Sequence, residues 1–437
     1  MKNKEITLKD SILKLLAEEF DVSEKTLDFV EKAENEVREI FESLDEIMQY
    51  NQYKVLAAFQ KNKVSDVHFA WNTGYGYNDM GREIIERVYA DIFKTEAALV
   101  RPLIVSGTHA LSLTLCGVLR PGDELIYVTG RPYDTLEEVI GIRGEGAGSL
   151  AEFGITYKQI ELLKNGQIDL DAVKSAISHN TKMISIQRAT GYSERPAISL
   201  DSIEKCAKLV KSINPDIVMM ADNCYGEFLD IIEPTQIGID IMAGSLIKNP
   251  GGGLALSGGY VVGRKDLIEK VSYRMTSPGI GDECGLMFGQ TRSILQGLFV
   301  APKTVNAALK GAVLCAKVFE NLGYEVFPSY DAKRSDIIEA VKLNSEEALC
   351  AFAEGIQMAA PIDAHVTPLP WDMPGYEDKV IMAAGAFVQG SSIELSADGP
   401  IREPYTIYFQ GGLTYEHSKF GVIKALNNMI RKQIINI

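Results

Sequence analysis

Three short stretches of the sequence combine residue types that could do chemistry together. The first is Ser106-Gly107-Thr108, at the end of the apolar run LIVS (103–106) and directly before a helical pattern. A strand-to-helix turn of this kind presents backbone N–H groups and a hydroxyl at a helix N-terminus, where orphan donors and the helix dipole favour an anion such as phosphate. The second is Asp222, closing IVMMAD. A helix cap is its ordinary reading, but a carboxylate ending so apolar a segment also calls for a cationic partner, and a protonated ring nitrogen would serve. The third is Lys248 in SLIKNPGGG, with Ser245 before it and Gly251–Gly253 after it. A lysine in a partly apolar pocket is expected to have its ammonium pKa lowered, freeing the amine as nucleophile or base. The glycines would let backbone approach something bulky. Singly, each stretch has a bland alternative: a common turn, a cap, a surface charge. In this order, with the lysine 26 positions beyond the aspartate, they supply an anion cradle, a pyridinium partner and an anchoring amine. Those are the demands of pyridoxal 5'-phosphate.

The elements that must position these residues are readable from periodicity. From about residue 85, short apolar runs (LIVS, DELIYV, TYKQIEL, TKMISIQ, DIVMMAD, GGYVVG) alternate with helical stretches such as LDAVKSAIS and LDSIEKCAKLVKSI. That alternation predicts βαβ units and a mostly parallel sheet, whose strand C-termini are where open α/β sheets place ligands. Residues 1–60, rich in Glu, Lys, Leu and Ile at helical spacing, form an expected N-terminal helical segment. Residues 61–295 are the expected large α/β domain. Residues 296–437 are the expected smaller α+β domain, entered through a long helical pattern and carrying strand candidates EVFP, DIIEAVKL, AAGAFV and SSIELS before a closing helix, FGVIKALNNMIRKQI.

Composition narrows the function classes. A chain of 437 residues with 46% hydrophobic and 24% charged residues reads as soluble, globular and multi-domain. A formal charge of -15 argues against a nucleic-acid groove or an anionic membrane as the main partner. Six scattered cysteines without a CxxC spacing read as free thiols in a reducing cytoplasm, and the N-terminus lacks a signal-peptide pattern. No apolar run reaches the length of a membrane span. There is no GxxxxGK[ST], HExxH or GxSxG, and GEGAGS (144–149) reads as a loop. The five histidines are too dispersed to suggest a metal site.

At Asp222-Asn223, Ser245-Leu-Ile-Lys248 and Ser106-Gly107-Thr108 the sequence resembles fold type I pyridoxal-phosphate enzymes of the cystathionine/methionine lyase group. More narrowly, PYDTLEEVIG, GYSERP, PGYEDKVIMAAGAFVQGSSIELSADGPIREPY and FQGGLTYEH resemble the aluminium resistance protein, or methionine gamma-lyase-like, branch. The resemblance runs from about residue 65 to 420. It implies a mostly parallel seven-stranded sheet flanked by helices. It also implies that Lys248 anchors pyridoxal 5'-phosphate and then serves as base, that Asp222 holds the ring nitrogen, and that Gly107, Thr108 and Ser245 bind the phosphate beside Ser106. Tyr133 would stack on the ring and assist proton transfer. Tyr75, Tyr77 and Arg82 would reach the phosphate of a neighbouring subunit, so that active sites are shared in a homodimer or homotetramer.

Two departures from the family pattern stand out. Thr135 occupies the place of a cysteine that methionine gamma-lyases carry after the stacking tyrosine. Glu394 occupies the place of the arginine that binds the substrate carboxylate, which leaves Arg402 and Arg188 as candidates for that task. The implied activity is carbon–sulfur elimination on an amino acid of the cystathionine, cysteine or methionine class. An aminotransferase, an aldolase and a non-catalytic stress-response protein of the same fold are the alternatives.

Overall fold

The protein was studied as a computed structural model, which describes residues 8–193, 195–373, 376 and 378–437. The first seven residues of the expected helical segment, Glu194 of GYSERP, and Pro374, Gly375 and Glu377 of the PGYEDK stretch lie outside the described residues. The chain divides into two compact units. One comprises Glu46–Val305 and Arg334–Ile337; the other comprises the chain up to Asp45 with Asn306–Lys333 and Ile338–Ile437.

The first unit is built on a seven-stranded sheet: β1 (Ala97–Arg101), β2 (Glu124–Tyr127), β3 (Thr156–Gln159), β4 (Thr181–Gln187), β5 (Val218–Asp222), β6 (Ile241–Ser245) and β7 (Gly259–Gly263). Their order is β1-β7-β6-β5-β4-β2-β3. Only β7 runs against its neighbours. Strands β2 and β5 to β7 are buried along their whole length, which is why β2, β5 and β7 read as apolar runs rather than alternating ones. Helix Gly107–Val118 contributes Leu111 and Leu115 to a core with Leu125, Met183, Val218 and Val261.

One expected strand is corrected and one strand was not expected. LIVS is not a strand: the first strand ends at Arg101, and residues 102–106 form the turn that follows it. The strand IMAGS that carries Ser245 escaped notice because alanine, glycine and serine have little strand preference, and burial between β5 and β7 decides its conformation.

The second unit holds an antiparallel five-stranded sheet of β8 (Glu325–Phe327), β9 (Glu339–Lys342), β10 (Val380–Ala383), β11 (Ser396–Pro400) and β12 (Thr406–Gln410), ordered β10-β11-β12-β9-β8. The expected strands AAGAFV and SSIELS are displaced. The ladder forms on VIMA before the first and on SADGP after the second. The chain up to Asp45 is not a unit of its own, because Leu27, Val30, Val37 and Phe41 enter the core of Val341, Phe352, Phe409 and Ile423. Among the described residues one helix, Thr291–Asn321, is long and apolar enough to cross a bilayer, and 78% of its most apolar window is buried in protein. Pro302 lies inside it.

Candidate active site

The turn after β1 begins with Ser106, whose hydroxyl accepts the His109 N–H at 3.0 Å and so caps the helix that starts at Gly107. A serine used this way keeps its own O–H to donate outward. Gly107 is close-packed: a Cβ there would stand 3.3 Å from Ser245 Cβ and 3.4 Å from Cys224 Sγ. The turn, the end of β6 and the residues after β5 therefore meet. Thr108 Oγ1 lies 2.7 Å from Thr135 Oγ1, which ties the turn to the helix Asp134–Ile140. Tyr133 sits at the start of that helix, and a Cβ on Gly191 would lie 3.2 Å from its ring, so Tyr133 stands over the loop beyond β4.

Asp222 is buried at the end of β5, where Oδ1 accepts the Cys224 N–H at 3.1 Å. Burial raises its carboxyl pKa, while Lys248 and the Cys224 hydrogen bonds work against that. Burial also pushes the Cys224 thiol well up, aided by the Asp222 charge, which keeps it a neutral thiol beside the carboxylate.

Lys248 follows β6 by three residues and is only partly accessible. Its Nζ lies 4.0 Å from the centre of the Tyr225 ring. Burial acts to lower its ammonium pKa, but the charge of Asp222 and a hydrogen bond to Tyr225 act against burial, and the net direction is up. This reverses the expected lowering: the pocket is apolar, but it is lined with acids. The glycines behind Lys248 also serve differently from expectation. A Cβ on Gly251 would fall 1.7 Å from the Leu246 carbonyl oxygen, so the turn that carries the lysine closes only on a glycine.

The remaining candidates divide. Tyr75 and Tyr77 are 73% and 56% exposed, with ring centres 5.5 Å apart. Arg82, assigned to a neighbouring phosphate, is instead buried and donates to the carbonyls of Gly76 at 2.6 Å, Gly285 at 3.2 Å and Glu283 at 3.1 Å. It holds the tyrosine loop in place. Arg188 is likewise corrected. Fully buried, it donates to Asn223 Oδ1 at 3.1 Å, to the Gly226 carbonyl at 2.7 Å and to Asp230 at 3.2 Å, which braces the loop after β5 and presents no fork to a ligand. Arg402 belongs to the other unit, is exposed, and pairs with Asp378 at 2.9 Å. Glu394, standing where the family has arginine, accepts the N–H groups of Phe387 at 2.8 Å and Val388 at 2.9 Å, so its carboxylate fastens a loop.

Two further residues of this region, Tyr225 and Arg195, are not among the expected site residues, although Arg195 lies in GYSERP. Tyr225 has φ of 70°, a left-handed setting that an aromatic residue does not announce. Arg195 donates to the carbonyls of Gln187 at 3.0 Å, Ala189 at 2.7 Å and Pro196 at 3.0 Å, and its pKa is lowered to about 10 by burial, against the pull of Asp336 and Asp222. Among the described residues no group of His, Cys, Asp and Glu is arranged to hold a metal ion.

Comparison with known proteins shows the family. The chain is 54% identical over 405 residues to the uncharacterized protein YnbB of Bacillus subtilis, covering 92% of this chain and 96% of that one. A solved carbon-sulfur lyase involved in aluminum resistance from Clostridium novyi superposes with a TM-score of 0.92 at 50% identity, covering 95% of this chain and 98% of that one. The pyridoxal-5'-phosphate-dependent protein YhfS of Escherichia coli, at 17% identity and a TM-score of 0.60 over 90% of this chain and 96% of its own, shares the fold alone, that of the fold type I enzymes. The sequence profile of methionine gamma-lyase matches residues 26–430, and by that span the chain belongs to the methionine gamma-lyase family.

Proposed function

We propose that the protein is a pyridoxal-phosphate-dependent carbon–sulfur lyase that eliminates a thiol from an amino acid of the cystathionine, cysteine or methionine class, releasing ammonia and a 2-oxo acid. The carrying observation is the meeting of Ser106–Thr108, Asp222, Ser245 and Lys248 at one end of the large sheet. The names of the similar proteins, lyases among them, point the same way. The residues present fit the cofactor. Ser106 has a hydroxyl proton to give, Gly107 is a glycine where a Cβ would press on Ser245 and Cys224, and the buried Asp222 needs a cation.

When bound, the cofactor supplies an electron sink for a carbanion at the substrate Cα. The work of the protein is to hold and to move protons. The amides at the start of helix Gly107–Val118, with Ser106, Thr108 and Ser245, take the phosphate, where the dipole and orphan donors favour an anion. Asp222 would hold a ring N–H of the cofactor. Lys248 Nζ would anchor the cofactor and, when free of it, would take the Cα proton of the substrate. Because its ammonium is held up, Lys248 must shed a proton before it can do either. Tyr133 takes the ring-facing position. Arg188, spent inside the scaffold, is not left for the substrate carboxylate.

We place shared active sites in a homodimer or homotetramer in the same reading, supported by the exposed Tyr75–Tyr77 pair. A cytoplasmic setting is supported by six cysteines of which none forms a disulfide among the described residues.

The test is spectroscopic and chemical. Protein mixed with pyridoxal phosphate is expected to gain a visible absorption band, borohydride to fix a pyridoxyl group on the Lys248 peptide, and a screen of sulfur amino acids to release thiol and ammonia. No band and no labelled Lys248 would sink the cofactor reading. Pyridoxamine phosphate accumulating with an oxo acid, and no thiol, would make the protein an aminotransferase instead.

A further inference from the structure

Thr135 stands where the family pattern has a cysteine, and the fold joins it to the turn after β1. Its Oγ1 lies 2.7 Å from Thr108 Oγ1. Thr135 is in the first turn of the helix Asp134–Ile140, directly after Tyr133, and Thr108 is in the first turn of the helix Gly107–Val118. The two threonines are 27 positions apart in sequence, so the folded chain, and not a local turn, brings them together. Both are only partly accessible.

A hydroxyl inside a helix can spend its proton on the carbonyl four residues back. Thr114, farther along the same helix, does this, donating to the Ala110 carbonyl at 2.8 Å. Among the described residues Thr108 makes no such bond, and Thr135 is the hydrogen-bond partner of its side chain. Either hydroxyl can supply the proton that lies between the two oxygens. If Thr108 supplies it, Thr108 has nothing left to donate. If Thr135 supplies it, Thr108 accepts on one side and keeps its own O–H for another acceptor. Ser106 already works in this second way, since its hydroxyl accepts the His109 N–H at 3.0 Å and retains a proton. The donors gathered at this helix N-terminus favour an anion. An anion within reach of Thr108 selects the arrangement in which Thr135 is the donor.

We propose that Thr135 is a positioning residue for the phosphate end of the cofactor: it donates to Thr108, and Thr108 donates to a phosphate oxygen. Such a relay needs an O–H group at both positions, and each hydrogen bond in it strengthens the next. A thiol is a weak donor, so a cysteine at position 135 does not replace the threonine. This rests on the reading of Ser106–Thr108 as the phosphate turn and extends it to the helix that follows Tyr133.

The test compares pyridoxal phosphate with pyridoxal, which lacks the phosphate, by titrating each into cofactor-free protein and following the visible absorption band. In wild-type protein the phosphate form is expected to bind much more tightly. Thr135→Val keeps the shape of the side chain but removes the hydroxyl. It is expected to weaken binding of pyridoxal phosphate about five- to tenfold, the scale of one lost hydrogen bond, and to leave pyridoxal unchanged. Thr135→Cys is expected to behave like Thr135→Val and decides the matter if that variant does not fold. Thr135→Ser restores the hydroxyl and is expected to keep the wild-type affinity for both ligands. Undiminished binding of pyridoxal phosphate by Thr135→Val and Thr135→Cys overturns the proposal. An equal loss for the two ligands also overturns it, since that marks a merely structural role. If wild-type protein prefers neither ligand, the phosphate reading of the turn fails, and the proposal with it, before any variant is measured.

Discussion

Lys248 and Asp222 illustrate how far a residue's chemistry depends on what surrounds it. A lysine in an apolar pocket is expected to lose its proton easily, and burial here does act in that direction. The charge of Asp222 and the hydrogen bond to Tyr225 act the other way, and the net direction is up. Asp222→Asn keeps the size of the side chain but removes its charge. It is expected to lower kcat by at least about a hundredfold, the scale of losing one preorganised electrostatic contact, while borohydride still labels Lys248. Activity close to wild type in that variant would take Asp222 out of the mechanism. The residues carrying this site were legible as a set because lysine, aspartate and a Ser-Gly-Thr turn are unusual at the ends of apolar runs. Tyr225 was not, because its place beside Lys248 comes from a left-handed backbone setting that an aromatic residue does not announce.

The elements were legible where one physical rule governed them. TKMISIQ and IVMMAD read as strands because a sheet covered on both faces asks for continuous apolar runs. SADGP did not: its Gly, Asp and Pro oppose a strand, and pairing with VIMA on one side and TIYFQ on the other overrides that preference. The helix caps allow a cleaner test of the turn after β1. Ser106 and Ser199 each cap a helix of the large unit, accepting the N–H of His109 at 3.0 Å and of Ser202 at 3.2 Å. Ser106→Ala and Ser199→Ala should each cost about 1 kcal/mol of stability, seen as similar falls in Tm of the cofactor-free protein. Only Ser106→Ala should also weaken binding of pyridoxal phosphate. Equal affinities in the two variants would mean that Ser106 serves its helix and nothing more.

The whole molecule carries a formal charge of -15, which keeps copies apart unless specific surfaces overcome it. Trp71, Tyr75 and Tyr77, all more than half exposed, lie close together in sequence, and Arg82 clamps the loop bearing the two tyrosines from inside. Sedimentation is therefore expected to give two or four chains per particle, with Tyr75→Ala weakening both assembly and cofactor retention. A monomer that binds cofactor and turns over would remove the shared site from the proposal.

The backbone at Tyr225 has a further consequence. A non-glycine residue with φ of 70° sits above its relaxed conformation by roughly 1–3 kcal/mol, and only the surrounding packing keeps it there. The ring beside Lys248 is thus held like a set spring. Any change that loosens the buried brace of Arg188, Asn223 and Asp230 would let this turn relax before the sheet itself gave way, so the protein would lose its proposed chemistry while still folded.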